Sequence, residues 1–128
     1  MVAERSLMPS VSSFAEILAR GNPDIVGVLI VDGDGRIHAS ETTSPEVVRC
    51  AVAVAVPLRE LLDRASSELG CGEMSATTLE GSEASIAIAD VDGFRSVIVI
   101  GANGAAPGAL RADSLWVAEQ VRKEERRS

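Results

Sequence analysis

Between Cys50 and Val56 the chain places seven consecutive residues without a polar side chain, inside a segment punctuated as one long helix. Ser44 stands where a helix cap is wanted, Pro45 suits the first helical position, and Glu46 meets the positive end of the helix dipole. Leu69-Gly70 closes the segment with a left-handed cap signal. Val47, Val48, Ala51, Ala55, Leu58, Leu62, Ala65 and Leu69 recur three or four apart and define one apolar stripe, while Val52, Val54 and Val56 lie largely off it. A helix that is apolar around most of its circumference needs cover on two sides, and in a small chain the second cover can come from another subunit. The competing reading is a strand over Ala51–Val56, where Ala and Val alternate, with Pro57 opening a new helix at Leu58. The helix start at Pro45-Glu46 and the lack of a turn signal before Pro57 favour the helix. Pro57 then removes one backbone bond and crowds the carbonyl of Ala53, so a bend is expected there.

A chain of 128 residues is most simply a single domain with a core of its own. Phe14, Phe94 and Trp116 are its only aromatics, so that core must be built from Val, Ile, Leu and Ala. Few stacking platforms and a net charge of −7 disfavour nucleic acid as a partner. The apolar run at Cys50 is too short to cross a bilayer, no basic cluster precedes an apolar run near Met1, and the two cysteines form no CxxC pair. A soluble cytoplasmic protein with free thiols is expected, with Cys50 buried and inert and Cys71 accessible.

Along the chain, residues 1–12 read as a flexible lead-in, with one domain over 13–122 and a charged, fraying tail over 123–128. Ser13-Phe14-Ala15-Glu16 matches a capping box that opens a helix ending at Gly21. Ile25–Val31 reads as a central strand, apolar on both faces, and Asp32-Gly33-Asp34-Gly35 turns it into Arg36–Ser40. After the long helix come strands over Gly72–Glu80, Ala84–Asp90 and Ser96–Ala102, a glycine-rich loop over Asn103–Gly108, and a last helix from Ala109 to Arg122. In the first of these strands Met74, Ala76 and Thr78 are expected on one side, and Ser75, Thr77 and Leu79 on the other.

Catalytic and metal motifs are not supplied. Asp32-Gly33-Asp34-Gly35 begins like a calcium loop, but Arg36 and Thr43 occupy the fifth and twelfth positions, where oxygen ligands and a bidentate Glu are required. Gly101-Ala102-Asn103-Gly104 lacks the Lys-Ser or Lys-Thr of a phosphate loop. His38 is the only histidine, and neither an orienting partner nor a nucleophile is nominated for it. No enzyme activity, cofactor or metal is expected.

The order helix, two strands, helix, three strands, helix, together with Gly27–Ser40 (glycine, apolar strand, Asp, glycine turn, short strand ending in Ala39-Ser40), resembles the roadblock/LC7 family. The resemblance spans about Ser13 to Val121, with Pro57 as a departure, and its motif marks a fold rather than a reaction. It implies an α/β, profilin-like, three-layer domain: a five-stranded, mainly antiparallel sheet in the order 2-1-5-4-3, the long helix on one face and the two terminal helices on the other. It also implies a homodimer joined through the edge strand and the long helix into a ten-stranded sheet, here through Val48, Ala51, Val52, Ala55, Leu62, Met74, Ala76 and Thr78. Bacterial relatives commonly partner Ras-like small GTPases as activators or scaffolds in signalling and polarity, so the resemblance implies a non-enzymatic adaptor or regulator. No arginine finger is carried over. Arg49, Arg59, Glu60, Asp63 and Arg64 are the charges best placed on the long helix to read a partner, although a solvated helix face accounts equally well for any one of them. A small-ligand sensor with a pocket beside Phe94 and Trp116, or a purely structural subunit, are the alternatives.

Overall fold

A computed structural model describes residues 9–42 and 44–127; the lead-in over 1–8, Thr43 and Ser128 lie outside the described residues. Its elements in chain order are α1 (Pro9–Gly21), β1 (Ile25–Asp32), β2 (Ile37–Thr42), α2 (Pro45–Glu68), β3 (Ala76–Glu80), β4 (Ala84–Asp90), β5 (Arg95–Ala102) and α3 (Pro107–Arg127). The strands form one antiparallel sheet in the order β2-β1-β5-β4-β3, as the resemblance implied. Strands β1 and β5 hold the middle because they are apolar on both faces, and a strand with no polar face must be covered on both.

Alternation along these strands sorts the core into two halves. Val28, Ile30, Ala87, Ala89, Val97 and Val99 point to α1 and α3, where they meet Leu110, Val117 and Val121 at full burial. Leu29, Val31, Ile88 and Ile98 point the other way, under α2, where they cluster with Ala55 of that helix and with Met74. Strand β4 shows the division most plainly, with alanines beneath the two terminal helices and isoleucines beneath α2. Small residues let α3 lie close on the sheet, and Gly101 serves the same end, since a Cβ there would sit 2.8 Å from Leu110 Cδ1.

Helix α2 forms as its punctuation predicts. The Ser44 hydroxyl accepts from the Val47 N–H at 3.3 Å, Pro45 opens the first turn, and Gly70 follows the C-cap Leu69 at φ +74°. The competing strand over Ala51–Val56 is not formed. The helix runs on through Pro57; Pro57 and Ala53 are both exposed, so water can take the bond that the Ala53 carbonyl loses.

Several boundaries differ from expectation. Helix α1 begins at Pro9, which places Ser13 inside it rather than at its cap, and Glu16 pairs with Arg20 one turn on. Strand β3 starts only at Ala76, because the left-handed residues Gly70 and Gly72 and the irregular stretch after them precede the ladder. That irregularity also breaks the expected alternation: Met74 packs under α2, whereas Ala76 packs on the opposite, α1/α3 side. Helix α3 is longer at both ends, with Pro107 at its first turn and residues 123–127 helical, Glu125 among them pairing with Arg95.

Candidate partner-binding face

Helix α2 turns one side to its own sheet and another to solvent. Val48, Ala51, Val52 and Leu62 are partly buried against Leu29, Val31, Ile88 and Ile98, and Ala55 and Met74 are buried among them. These expected interface residues therefore serve mainly the chain's own core, and Ala76 serves the core on the other face. Thr78 lies opposite Ala87, which also faces α1 and α3. The large apolar side chains left exposed along α2 and its cap are Val54 at 52%, Leu61 at 57% and Leu69 at 78%.

The single helix does not cover the whole sheet. Cys50, Val54 and Leu58 border a groove whose other wall is Ile86, Ile98 and Ile100, and the same surface continues past Leu58 and Leu62 to Thr77 and Leu79 on β3. Leu79 is about half exposed, and Ile86 and Ile100 are only partly buried. Strand β3 pairs with β4 on one side and leaves its other edge unpaired within the sheet. An apolar groove running into an open strand edge is a surface suited to further chain, by helix packing and by strand addition.

The charged residues of α2 divide by exposure. Arg49, on the first turns, is exposed and pairs with Glu46 at 2.6 Å. Glu60 and Arg64 are exposed, and no ion pair holds either among the described residues. Arg59 is different, with a side chain only 12% exposed. Its guanidinium donates to Asp63 at 2.9 Å, to Asp90 at 2.6 Å and to the Ser96 hydroxyl at 2.8 Å. Burial opposes its charge, but the bonds to Asp63 and Asp90 outweigh that and hold the proton more firmly than usual. Arg59 is thus a strut between α2 and the β4–β5 end of the sheet, rather than the partner-reading cation its sequence position suggested.

The strut continues to the other face. Arg122 of α3 donates to the carbonyls of Asp90 at 3.0 Å and Val91 at 2.9 Å. Arg95 makes a two-pronged contact with Glu125, 2.6 Å on each prong, and pairs with Asp92 at 2.8 Å. Glu125 and then Asp92 raise the Arg95 guanidinium above its ordinary value against the opposing effect of burial. Partial desolvation opposes ionisation of Asp92, yet N–H groups of Arg95 and Phe94 and the Arg95 side chain hold its carboxyl below the usual range. Sequence reading missed this network because its members lie some thirty residues apart and meet only through the β4–β5 turn.

Comparison with known proteins places this architecture. A family model for the Roadblock/LC7 domain matches residues 18–102. The chain belongs to the Roadblock/LC7 family. Among solved structures, this roadblock domain is similar to Myxococcus xanthus MglB, with a TM-score of 0.82 at 15% identity over 93% of this chain and 90% of that one. It is similar to a Roadblock/LC7 domain from Streptomyces avermitilis, with a TM-score of 0.78 at 16% identity over 89% and 96%. Acanthamoeba castellanii profilin II shares the wider fold, with a TM-score of 0.58 at 12% identity over 89% and 98%. Curated protein sequences give no significant match.

Other residues singled out by sequence fall into place on the roadblock fold. The Asp32 carboxylate, almost wholly buried, accepts from the N–H groups of Asp34 at 2.8 Å and Arg36 at 3.1 Å, and its second oxygen meets His38 Nε2 at 2.9 Å. Burial raises its pKa, but His38 and the two N–H groups more than reverse that, leaving it below the ordinary value. The hairpin turn therefore closes on its own aspartate, and His38 has an orienting partner that sequence alone did not nominate. Cys50 is exposed rather than buried, because it sits on the groove side of α2; Cys71 is exposed as expected. Phe94 and Trp116 share no cavity. Phe94 lies over Gly33 at one end of the sheet, whereas Trp116 packs edge-on to Phe14 in the α1/α3 layer. No helix among the described residues is long and apolar enough to cross a membrane.

Proposed function

We propose that this chain is a cytoplasmic, non-enzymatic homodimeric regulator or scaffold of a Ras-like small GTPase. Roadblock/LC7 membership and the fold shared with MglB support the class of function. The observation that carries the dimer is the half-covered sheet: α2 exposes Val54 and Leu61 beside a groove walled by Ile86 and Ile100, and that groove runs to the open edge of β3. Two copies related by a two-fold axis lay α2 against α2 and β3 against β3, which covers the apolar walls and pairs both edges at once. Val54, Leu61, Leu79, Ile86 and Ile100 then form the interface proper. The residues of the inner stripe, Val48, Ala51, Val52, Ala55 and Leu62, support it from beneath. Arg49, Glu60 and Arg64 border the paired helices, where a GTPase would meet them.

Light scattering on the purified protein at micromolar concentration tests the first step, with twice the chain mass expected. Mixing it with the Ras-like GTPase of the same cell in each nucleotide state tests the second, read as complex mass and as the rate of GTP hydrolysis. A faster rate identifies an activator, and a complex without acceleration identifies a scaffold. A monomer that binds neither nucleotide state refutes the proposal.

A further inference from the structure

Phe94 spends one of the three aromatic rings of this chain on a half-exposed position in the β4–β5 turn, 50% open to solvent. The ring is nonetheless well supported. It lies on Gly33 of the neighbouring hairpin turn so closely that a Cβ at Gly33 would stand 2.6 Å from Phe94 Cε1. Between the ring and α2 is a notch of about 230 Å³, with Val56 on its apolar wall and Glu60 and Asp63 at its rim. That volume is below the roughly 300–1,000 Å³ of a cofactor or drug-sized site and suits one long side chain.

The electrostatics of the notch select the side chain. Glu60 and Asp63 stand three residues apart on α2 and so on the same side of the helix. Glu60 has no ion-pair partner among the described residues, and Asp63, 47% exposed, has given one oxygen to Arg59. The charge of Arg59 is already met by Asp90 and Asp63, so the carboxylates at and beneath the rim outnumber the cation there. An exposed ring face beside one unmatched carboxylate, Glu60, and one that is only half engaged, Asp63, is the chemistry that receives a cation. A planar guanidinium meets both demands, since it stacks on the ring while its fork engages carboxylates.

We propose that this notch is a docking slot for one arginine side chain presented by a protein partner. The guanidinium stacks on Phe94 and pairs with Glu60 and Asp63, and the aliphatic stem lies along Val56. The slot sits at the turn end of the sheet, apart from the groove that runs to β3, so the inference does not require the partner to be a GTPase or the protein to be a dimer.

The probe is N-acetyl-arginine amide titrated into the ¹⁵N-labelled full chain, with N-acetyl-citrulline amide as its uncharged counterpart. Saturable shifts are expected at the amides of Gly33, Glu60, Gly93 and Phe94 with the arginine probe and none with citrulline. Phe94→Leu keeps an apolar side chain but removes the ring, and weakens binding about fivefold. Gly33→Ala alters no charge and pushes the ring aside, with a loss of similar size; Glu60→Gln, on an exposed helix position, also weakens binding. Shifts that spread evenly over the acidic surface, or a response unchanged in both Phe94→Leu and Gly33→Ala, overturn the proposal.

Discussion

The two faces of the sheet are built from the same strands and end in different states. On the α1/α3 side, Val28, Ala87, Ala89, Val97, Val99, Leu110 and Val117 are all wholly buried, and small residues on β4 let α3 sit close. On the α2 side one helix stands over larger residues, so Ile86 and Ile100 remain partly open and Val54, Leu61 and Leu79 face solvent. Completeness of cover, rather than hydrophobicity, separates them. A closed face contributes to the stability of the single chain, and an open one leaves apolar area uncovered.

The largest effect is expected where cover is complete. Leu110→Ala removes a fully buried side chain from between α3 and β5 and costs about 2–5 kcal/mol, a fall in melting temperature of roughly 10 °C or more. Calorimetry checks it, and a loss below about 1 kcal/mol would mean that this face is less tightly packed than the geometry indicates. Gly101→Ala probes the same contact by crowding it. Its new methyl meets Ala105 Cβ at 2.7 Å and Leu110 Cδ1 at 2.8 Å, and the expected cost is about 1–3 kcal/mol.

The central strands and α2 were more legible in sequence than the two terminal helices. Continuous apolar runs at Ile25–Val31 and Val97–Ile100 marked strands buried on both faces, the alternation of Ile86 and Ile88 with small residues marked Ala84–Asp90, and Ser44-Pro45-Glu46 with Gly70 marked the ends of α2. Alternation failed at Met74 and Ala76, because Gly72 and the stretch after it are not yet strand, so counting by twos from Met74 assigns the wrong side. The candidate interface was half legible. An excess of apolar residues on α2 could be counted, but which of them the sheet would use depended on how many helices cover that face. The Arg59–Asp90 and Arg95–Glu125 contacts carried no sequence signal, since ion pairs across thirty residues have no period.

Those contacts join the two faces at one end and give the next effects. Arg95→Met leaves Glu125 and Asp92 without their cation, but these are 38% and 41% exposed and water takes up much of the loss. The expected cost is therefore roughly 1–2 kcal/mol, below that of breaking a fully buried pair. Amides of residues 122–127 should exchange faster with solvent in this variant, showing that the end of α3 has loosened. Acid gives the same test without mutation. Asp32 and Asp92 have folded-state pKa values below their unfolded ones, so their contribution is fully present above the ordinary carboxylate range and is lost as pH falls through the folded values. Urea unfolding should give a level stability from pH 7 to about pH 5 and a decline below about pH 4, with a shallower decline in Asp92→Asn.

The smallest effect on the single chain belongs to the open face, and it discriminates most sharply between the two. Val54 is 52% exposed on α2, and a helix position so open tolerates Asp with a change of about 0.5 kcal/mol in the isolated subunit. In a dimer formed through α2 the same carboxylate is buried against its own symmetry mate, and an unpaired charge in an apolar interface is strongly unfavourable. Val54→Asp should therefore halve the mass seen by light scattering and abolish the concentration dependence of melting, while the melting temperature at high dilution stays near that of the parent. If the variant keeps the parent's mass, association does not run through this side of α2. If it melts early even when dilute, Val54 belongs to the closed core and the distinction between the faces fails at that position.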